Sequence, residues 1–186
     1  MANATQVVAT LDDLYRIKEK AELIAGRIVY LMPTGRRPSR IAFKIARSLD
    51  DHAEATGIGE AFADNTGFAV PELTSGRQSF APDAAFSIKP NSPNAMRFIQ
   101  GPPTFAVEVR SENDYGEAAE IRLAAKRADY FEAGSLVVWD VDPINERVRK
   151  FRADAQAEPM VFVKGQTAEA EPAVPGWRMR VEAIFG

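Results

Sequence analysis

The sequence predicts an α/β (α+β) fold: a mixed central sheet with helices packed against it. Three observations carry this expectation. Leu136-Val137-Val138-Trp139-Asp140-Val141 has the unbroken apolar character of a central strand covered on both faces. Residues 39–57 and 115–133 carry apolar side chains at helical spacing, and glycines, Gly57 and Gly134, stop them. Short apolar segments bounded by turn residues fill much of the remainder. A chain of 186 residues suits one domain over 1–186, at roughly 150 residues per domain. Its 46% apolar content can build a sizeable core, and 26% charged is ordinary for a soluble protein.

After an extended start, Thr10 reads as an N-cap with Asp12 and Asp13 in the first turn, which predicts a short helix to about Lys20. Residues 23–31 read as a hairpin turning at Ala25-Gly26. Pro33 to Pro38 forms a loop. Ser39 then caps a helix on which Ile41, Phe43, Ile45 and Leu49 form the apolar pattern. Strands are expected over 60–70 and 79–88. A polar, Pro/Asn-rich connector over 89–102 contains an apolar or short helical element at Met96-Arg97-Phe98-Ile99. The strand ending near Glu108 comes next, then the 115–133 helix with Leu123, Ala124, Ala128 and Phe131 on its apolar side. Asp142-Pro143-Ile144-Asn145 is a turn, residues 147–152 alternate into a strand, and smaller strands cover 159–164 and 177–181.

Composition also excludes several classes. No apolar stretch is long enough to span a bilayer, and residues 1–8 lack the basic and apolar regions of a signal peptide, so the cytoplasm is the default. Zero cysteines excludes disulfides and thiolate metal sites. The only histidine, His52, excludes a His-rich zinc site, and its setting in Ser48-Leu49-Asp50-Asp51-His52 is that of a solvated helix flank. The net charge of −3 and pI of about 5.4 do not mark a nucleic-acid binder by themselves. Phosphate contacts need only one basic face.

Two carboxylates stand out against this background. Asp83 follows Pro82 and opens Ala84-Ala85-Phe86-Ser87-Ile88, while Glu108 closes Phe105-Ala106-Val107. Each sits on an expected buried strand, where a carboxylate is costly unless paired or bound to a cation. Two acids on adjacent strands can share a divalent metal, Mg²⁺ or Mn²⁺, through oxygen ligands, and the Val109 carbonyl can add another. Taken alone, Pro82-Asp83 is also a common way for a turn to lead into a strand.

The order of parts is more specific than any one of them. Glu22 precedes the hairpin. Pro82-Asp83 and Glu108-Val109-Arg110-Ser111 follow, then a helix bearing Lys126 and Tyr130, and a strand ending Val138-Trp139-Asp140-Val141-Asp142-Pro143. This arrangement, from Ala21-Glu22-Leu23-Ile24-Ala25-Gly26 to Pro175-Gly176-Trp177, resembles the Uma-type restriction endonuclease family of the PD-(D/E)xK nuclease superfamily. The resemblance implies a restriction-endonuclease-like core and a metal-dependent endonuclease hydrolysing phosphodiester bonds in DNA. It implies Asp83 and Glu108 as metal ligands, Glu22 as a third acid and Lys126 as the catalytic cation. A histidine common in relatives at the start of the second helix is replaced here by Pro38. That departure keeps open a second reading, a catalytically inactive member acting as a nucleic-acid-binding or protein-interaction module.

The superfamily's simplest pattern places its lysine two residues after the second acid, where this chain has Arg110. A guanidinium stays protonated and cannot accept a proton, whereas a desolvated lysine beside a metal can have its pKa lowered and activate water. Arg110 shares a strand face with Glu108 and is expected to reach the acids as a charge partner. Arg37, Arg40, Lys44 and Arg47 recur at offsets of three, four and three, on one helical face with Arg36 beside them. That stripe is either a phosphate-binding surface or a solvated face paired with acids. Trp139 and Trp177 are expected to pack in the core rather than stack on bases. Cutting two strands favours a symmetric homodimer.

Overall fold

The computed structural model describes residues 8–186; the expectations about residues 1–7 lie outside the described residues. Thr10 caps α1 (Leu11–Leu14) through a reciprocal capping box with Asp13. The helix ends there, well before Lys20, and the chain runs on into a hairpin of β1 (Ala21–Ile24) and β2 (Arg27–Tyr30). Ala25 and Gly26 both take positive φ (48° and 66°), as a two-residue turn of matching twist requires.

Helix α2 (Arg36–Thr56) begins three residues ahead of the expected Ser39 cap, with Gly35 at the N-cap. Pro38 is tolerated because a first-turn residue has no intrahelical N–H bond to lose. Gly57 closes the helix in the left-handed conformation (φ 68°). The expected 60–70 strand is two strands, β3 (Glu60–Ala63) and β4 (Phe68–Ala69), separated by a turn in which Asn65 has φ 71°. The expected 79–88 strand likewise divides into β5 (Ser79–Phe80) and β6 (Ala84–Ser87), and β7 (Ile99–Gln100) lies in the connector. Next come β8 (Phe105–Val109), α3 (Glu117–Ala133), β9 (Val137–Asp142), β10 (Arg147–Arg152) and β11 (Ala155–Phe162). A small hairpin of β12 (Thr167–Glu169) and β13 (Arg178–Arg180) leads into α4 (Val181–Phe185).

The main sheet has the order β11-β10-β9-β8-β6-β3. Only β8 and β9 are parallel, joined by the α3 crossover; the other neighbours are antiparallel. The mixed sheet flanked by helices agrees with the sequence expectation. Alternation along the strands divides the core into two faces. One face carries Phe86, Phe105, Val107, Trp139 and Val141 under Ile41, Ile45 and Leu49 of α2 and the C-terminal segment. Trp139 and Trp177 pack there, with ring centroids 5.0 Å apart. The other face carries Ala85, Ala106 and Val138 beneath Tyr130 and Phe131 of α3, alongside the small sheet β5-β4-β7.

Helix α3 is rotated relative to its expected apolar side. Ala124 and Ala128 are exposed and Leu123 is half-buried, while Asp129, Tyr130 and Phe131 are buried. Phe131 is buried as expected and packs with Tyr130 on the sheet, while Asp129 and Lys126 bring charged contacts to the same face.

Gly59, leading into β3, has φ +71°, and a Cβ there would stand 2.5 Å from both the Phe86 ring and the Ser87 carbonyl. Gly59→Ala is therefore expected to cost roughly 2 kcal/mol or more in denaturant unfolding, through strain and overpacking combined. A loss below about 0.5 kcal/mol, typical of a neutral surface change, would contradict this packing of the β3–β6 edge.

Candidate active site

The register of β6 against β8 sets the two central acids opposite each other. Ala84 pairs with Val107 and Phe86 with Phe105, so Asp83 falls across from Glu108. The Asp83 N–H donates to the Val107 carbonyl at 3.0 Å, and the Val109 N–H donates to Asp83 Oδ2 at 2.8 Å. Directly opposed residues have Cβ atoms about 5 Å apart, which sets both carboxylates side by side on the face that α3 covers.

Glu22 arrives from β1. That strand is docked onto the 76–79 segment by the Ala25 N–H on Gly76 O, the Gln78 N–H on Leu23 O and the Leu23 N–H on Ser79 Oγ. Glu22 Oε1 accepts from the Ala81 N–H at 3.0 Å, and Oε2 pairs with Arg77. From α3, Lys126 Nζ lies 2.9 Å from Glu108 Oε2 and 3.2 Å from Glu22 Oε1. One turn further on, the Tyr130 hydroxyl donates to Glu108 Oε1 at 2.7 Å, with its ring stacked on Phe80. Arg77 also donates to Asp129 at 2.7 Å, and Lys20 reaches both Asp83 Oδ1, at 3.3 Å, and Asp64.

The structure thus brings together Asp83, Glu108, Glu22 and Lys126. It adds Lys20, Arg77, Asp129 and Tyr130, to which sequence reasoning gave no role. Tyr130 had a usable signal: it is i+4 from Lys126 and therefore on the same helical face. Lys20, Arg77 and Asp129 sit in ordinary local sequence and are recruited by long-range contacts.

Burial pushes the Glu108 carboxyl above its ordinary value, with Asp83 and Glu22 adding repulsion that the Lys126 ammonium does not outweigh. Burial acts the same way on Glu22, but Lys126, Arg77 and the Ala81 N–H hold it below its ordinary value. For Lys126, burial alone would lower the pKa; Glu108 and Glu22 override it, and the ammonium is held above its ordinary value. The lowered lysine anticipated from desolvation is thereby reversed, because two carboxylates face one ammonium. Burial, then Glu108 and Glu22, raise the Tyr130 phenol well above its ordinary value, so it stays a donor.

Arg110 corrects another expectation. It does share the α3 face, yet its guanidinium is held elsewhere. Arg110 forks onto Asp140 at 2.7 and 2.9 Å and reaches Glu120 at 2.9 Å, making a separate network with Arg127 and Arg149. Asp140 is nearly fully buried and offers bidentate geometry, which an arginine fork fits better than the already occupied Glu108.

Arg37, Arg40 and Arg47 are exposed along α2 and Lys44 is half-buried. They lie on the opposite side of the sheet from the acids. Arg37 pairs with Glu146 in the β9–β10 turn at 2.5 Å, which puts the start of α2 at the sheet end where Glu108 also stands. Lys44 bonds the Gly186 carbonyl, and Lys44 and Arg47 line a cleft of about 350 Å³ with Arg178 and Arg180. His52 meets the Pro175 carbonyl at 3.0 Å, away from the acids.

The raised Glu108 pKa has a definite consequence for stability. The folded chain holds this proton more readily than the unfolded chain, so Glu108's contribution to stability falls as pH rises from the unfolded value, about 4.3, through the raised folded one. In chelator-treated protein, Glu108→Gln should therefore gain stability relative to the parent as pH is raised through that window, read by denaturant unfolding. A parent–variant difference that stays flat would show that Glu108 ionises equally easily folded and unfolded.

Among the described residues no group of three or more His, Cys, Asp or Glu side chains is arranged to hold a metal by itself, and no helix is long and apolar enough to cross a membrane. No curated protein matches the chain. Among solved structures it is similar to “a putative nuclease belonging to DUF820” from Anabaena variabilis, with a TM-score of 0.72 at 20% identity over 95% of this chain and 97% of that one. That likeness shows the fold. The chain matches the Uma2 family, described as “Putative restriction endonuclease”, over residues 8–182, and by that match it belongs to the family.

Proposed function

We propose that the protein is a divalent-metal-dependent endonuclease that hydrolyses phosphodiester bonds in DNA, with Asp83 and Glu108 as the metal-holding pair. The observation that carries this is the juxtaposition of Asp83 and Glu108 across β6 and β8, with Lys126 against Glu108, in a chain of a restriction-endonuclease family. The donor set fits a hard cation. It offers oxygen only, and the clustered acids Glu22, Asp83, Glu108 and Asp129 outnumber the cations Lys20, Arg77 and Lys126. Mg²⁺ typically takes one or two carboxylates and completes its shell with water and substrate phosphate, so a three-acid cage is not required. The chemistry such an ion supplies when bound is polarisation of a phosphoryl oxygen and acidification of water.

The chain's own groups have distinct tasks in this reading. Lys126, kept as an ammonium by Glu108 and Glu22, donates to an anionic oxygen or orients water; it does not begin as a base. Glu22 fixes Lys126 from one side, and Tyr130, from the same helix as Lys126, fixes Glu108. The α2 stripe, Arg37, Arg40, Lys44 and Arg47, is assigned to the DNA backbone; it starts with Arg37 at the site's end of the sheet and is extended by Arg178 and Arg180 beside Lys44 and Arg47. A two-fold dimer would supply the second site for cutting both strands.

Calorimetric titration with Mn²⁺ is expected to show binding that Asp83→Ala or Glu108→Ala abolishes; unchanged binding in both would sink the assignment. In cleavage of plasmid and single-stranded DNA, Lys126→Met should lose about 100-fold or more in rate with Mn²⁺ binding retained. Cleavage at the parental rate would remove Lys126 from the mechanism. Replacing the four α2 cations by Ala should flatten the salt dependence of DNA affinity by roughly one unit of slope for each phosphate-neutralising charge removed. Equal affinity and slope would make the stripe a solvated face. A parent that binds DNA but cuts nothing with any divalent metal would favour the non-catalytic binding module.

A further inference from the structure

Lys20 enters the acid cluster from outside the strands that carry Asp83 and Glu108. Helix α1 stops at Leu14, and Lys20 immediately precedes β1, two residues ahead of Glu22. The Lys20 ammonium bridges Asp83 Oδ1, at 3.3 Å, and Asp64 in the turn after β3. Asp83 is 20% exposed and Asp64 46%, so the bridge runs from the interior of the site to its solvent edge. Asp83 Oδ2 is already bonded to the Val109 N–H, which leaves Oδ1 as the oxygen on offer to a cation. Lys20 and a divalent ion therefore seek the same lone pairs with charges of the same sign. Lys126 differs, since its two acids, Glu22 and Glu108, are both largely buried and give it no solvent-side acceptor to move to.

We propose that Lys20 is a built-in counterion that competes with the divalent cation for Asp83 Oδ1, with Asp64 as the acceptor onto which its ammonium withdraws. This rests on the metal-site reading above. Without metal, Lys20 offsets the repulsion between Asp83 and Glu108 and so stabilises the fold. With metal present, the same contact lowers apparent affinity.

The test is Mn²⁺ calorimetry on the full chain, with thermal unfolding in chelator and in Mn²⁺. Lys20→Met is expected to raise Mn²⁺ affinity about tenfold, equivalent to about 1.4 kcal/mol, and to lower the metal-free Tm, with saturating Mn²⁺ closing the gap. Lys20→Gln, which keeps a hydrogen-bond donor without the charge, should shift affinity in the same direction and serves if the Met variant does not fold. Asp64→Asn should lower affinity by tying Lys20 to Asp83 alone, and should do so less in the Lys20→Met background. Equal affinity in parent and both Lys20 variants, with binding still abolished by Asp83→Ala, overturns the competition and leaves the metal site standing. A Lys20→Met Tm deficit that Mn²⁺ does not narrow overturns it in favour of a structural staple. Absence of Mn²⁺ binding in the parent and in every Lys20 variant overturns the metal reading and this one together.

Discussion

Three carboxylates, Glu22, Asp83 and Glu108, converge on the sheet face covered by α3, and their desolvation is the constraint on which the surrounding structure depends. Removing an ion from water costs several kcal/mol even after relaxation, and leaving a buried charge unpaired costs about 3–5 kcal/mol. A domain of this size has a net stability of only about 5–15 kcal/mol, so none of these charges can be left uncompensated. The β1–β2 hairpin, the 76–79 segment and α3 each contribute at least one charged group to the cluster. Arg77 shows the principle most clearly: it joins Glu22 on β1 to Asp129 on α3 while stacking over Phe80. Polar contacts through Lys126 and Asp129 act together with the packing of Tyr130 and Phe131 to set which side of α3 meets the sheet.

The Arg110 network does complementary work. Asp140, next to Glu108 across β8 and β9, is surrounded by Arg110, Arg127 and Arg149, and Glu120 closes the network from the first turn of α3. These bonds fix the helix along its axis at one end, and the Lys126 and Tyr130 contacts fix it further along. The position of Lys126 over Glu108 thus depends on residues that never touch the acid pair. Arginine suits this role because its planar fork engages a carboxylate bidentately and its charge does not titrate.

Much of the architecture was legible in the sequence where local chemistry decides it. The β9 strand, the Ala25-Gly26 turn, the glycine stops at Gly57 and Gly134 and the Thr10 cap all rest on short-range preferences. The prominence of Asp83 and Glu108 could be seen because buried acids are rare, and strand pairing then set them opposite each other. The α3 face was misjudged because apolar periodicity assumes that the buried side is the greasy one. Here Ala124 and Ala128 face solvent while Asp129 and Lys126 face the sheet. The early start of α2 was hidden by Pro38, which reads as loop unless it occupies a first turn. Arg110 could be placed on the correct face but not with its partner, since choosing between Glu108 and Asp140 requires knowing which acid is already satisfied. Lys20, Arg77 and Asp129 carried no local signal, because their roles exist only once distant segments meet.

Acids outnumber cations in the cluster, which therefore has room for one more positive charge, and Asp83 is where it is partly open to solvent. The most direct measurement is a crystal structure of the protein grown or soaked with Mn²⁺, with data collected at the manganese absorption edge. An anomalous peak is expected between the Asp83 and Glu108 carboxylates, with Lys126 still against Glu108. Full Mn²⁺ occupancy elsewhere, with both carboxylates still held by Lys20, Lys126, Tyr130 and the Val109 N–H, would contradict the metal assignment.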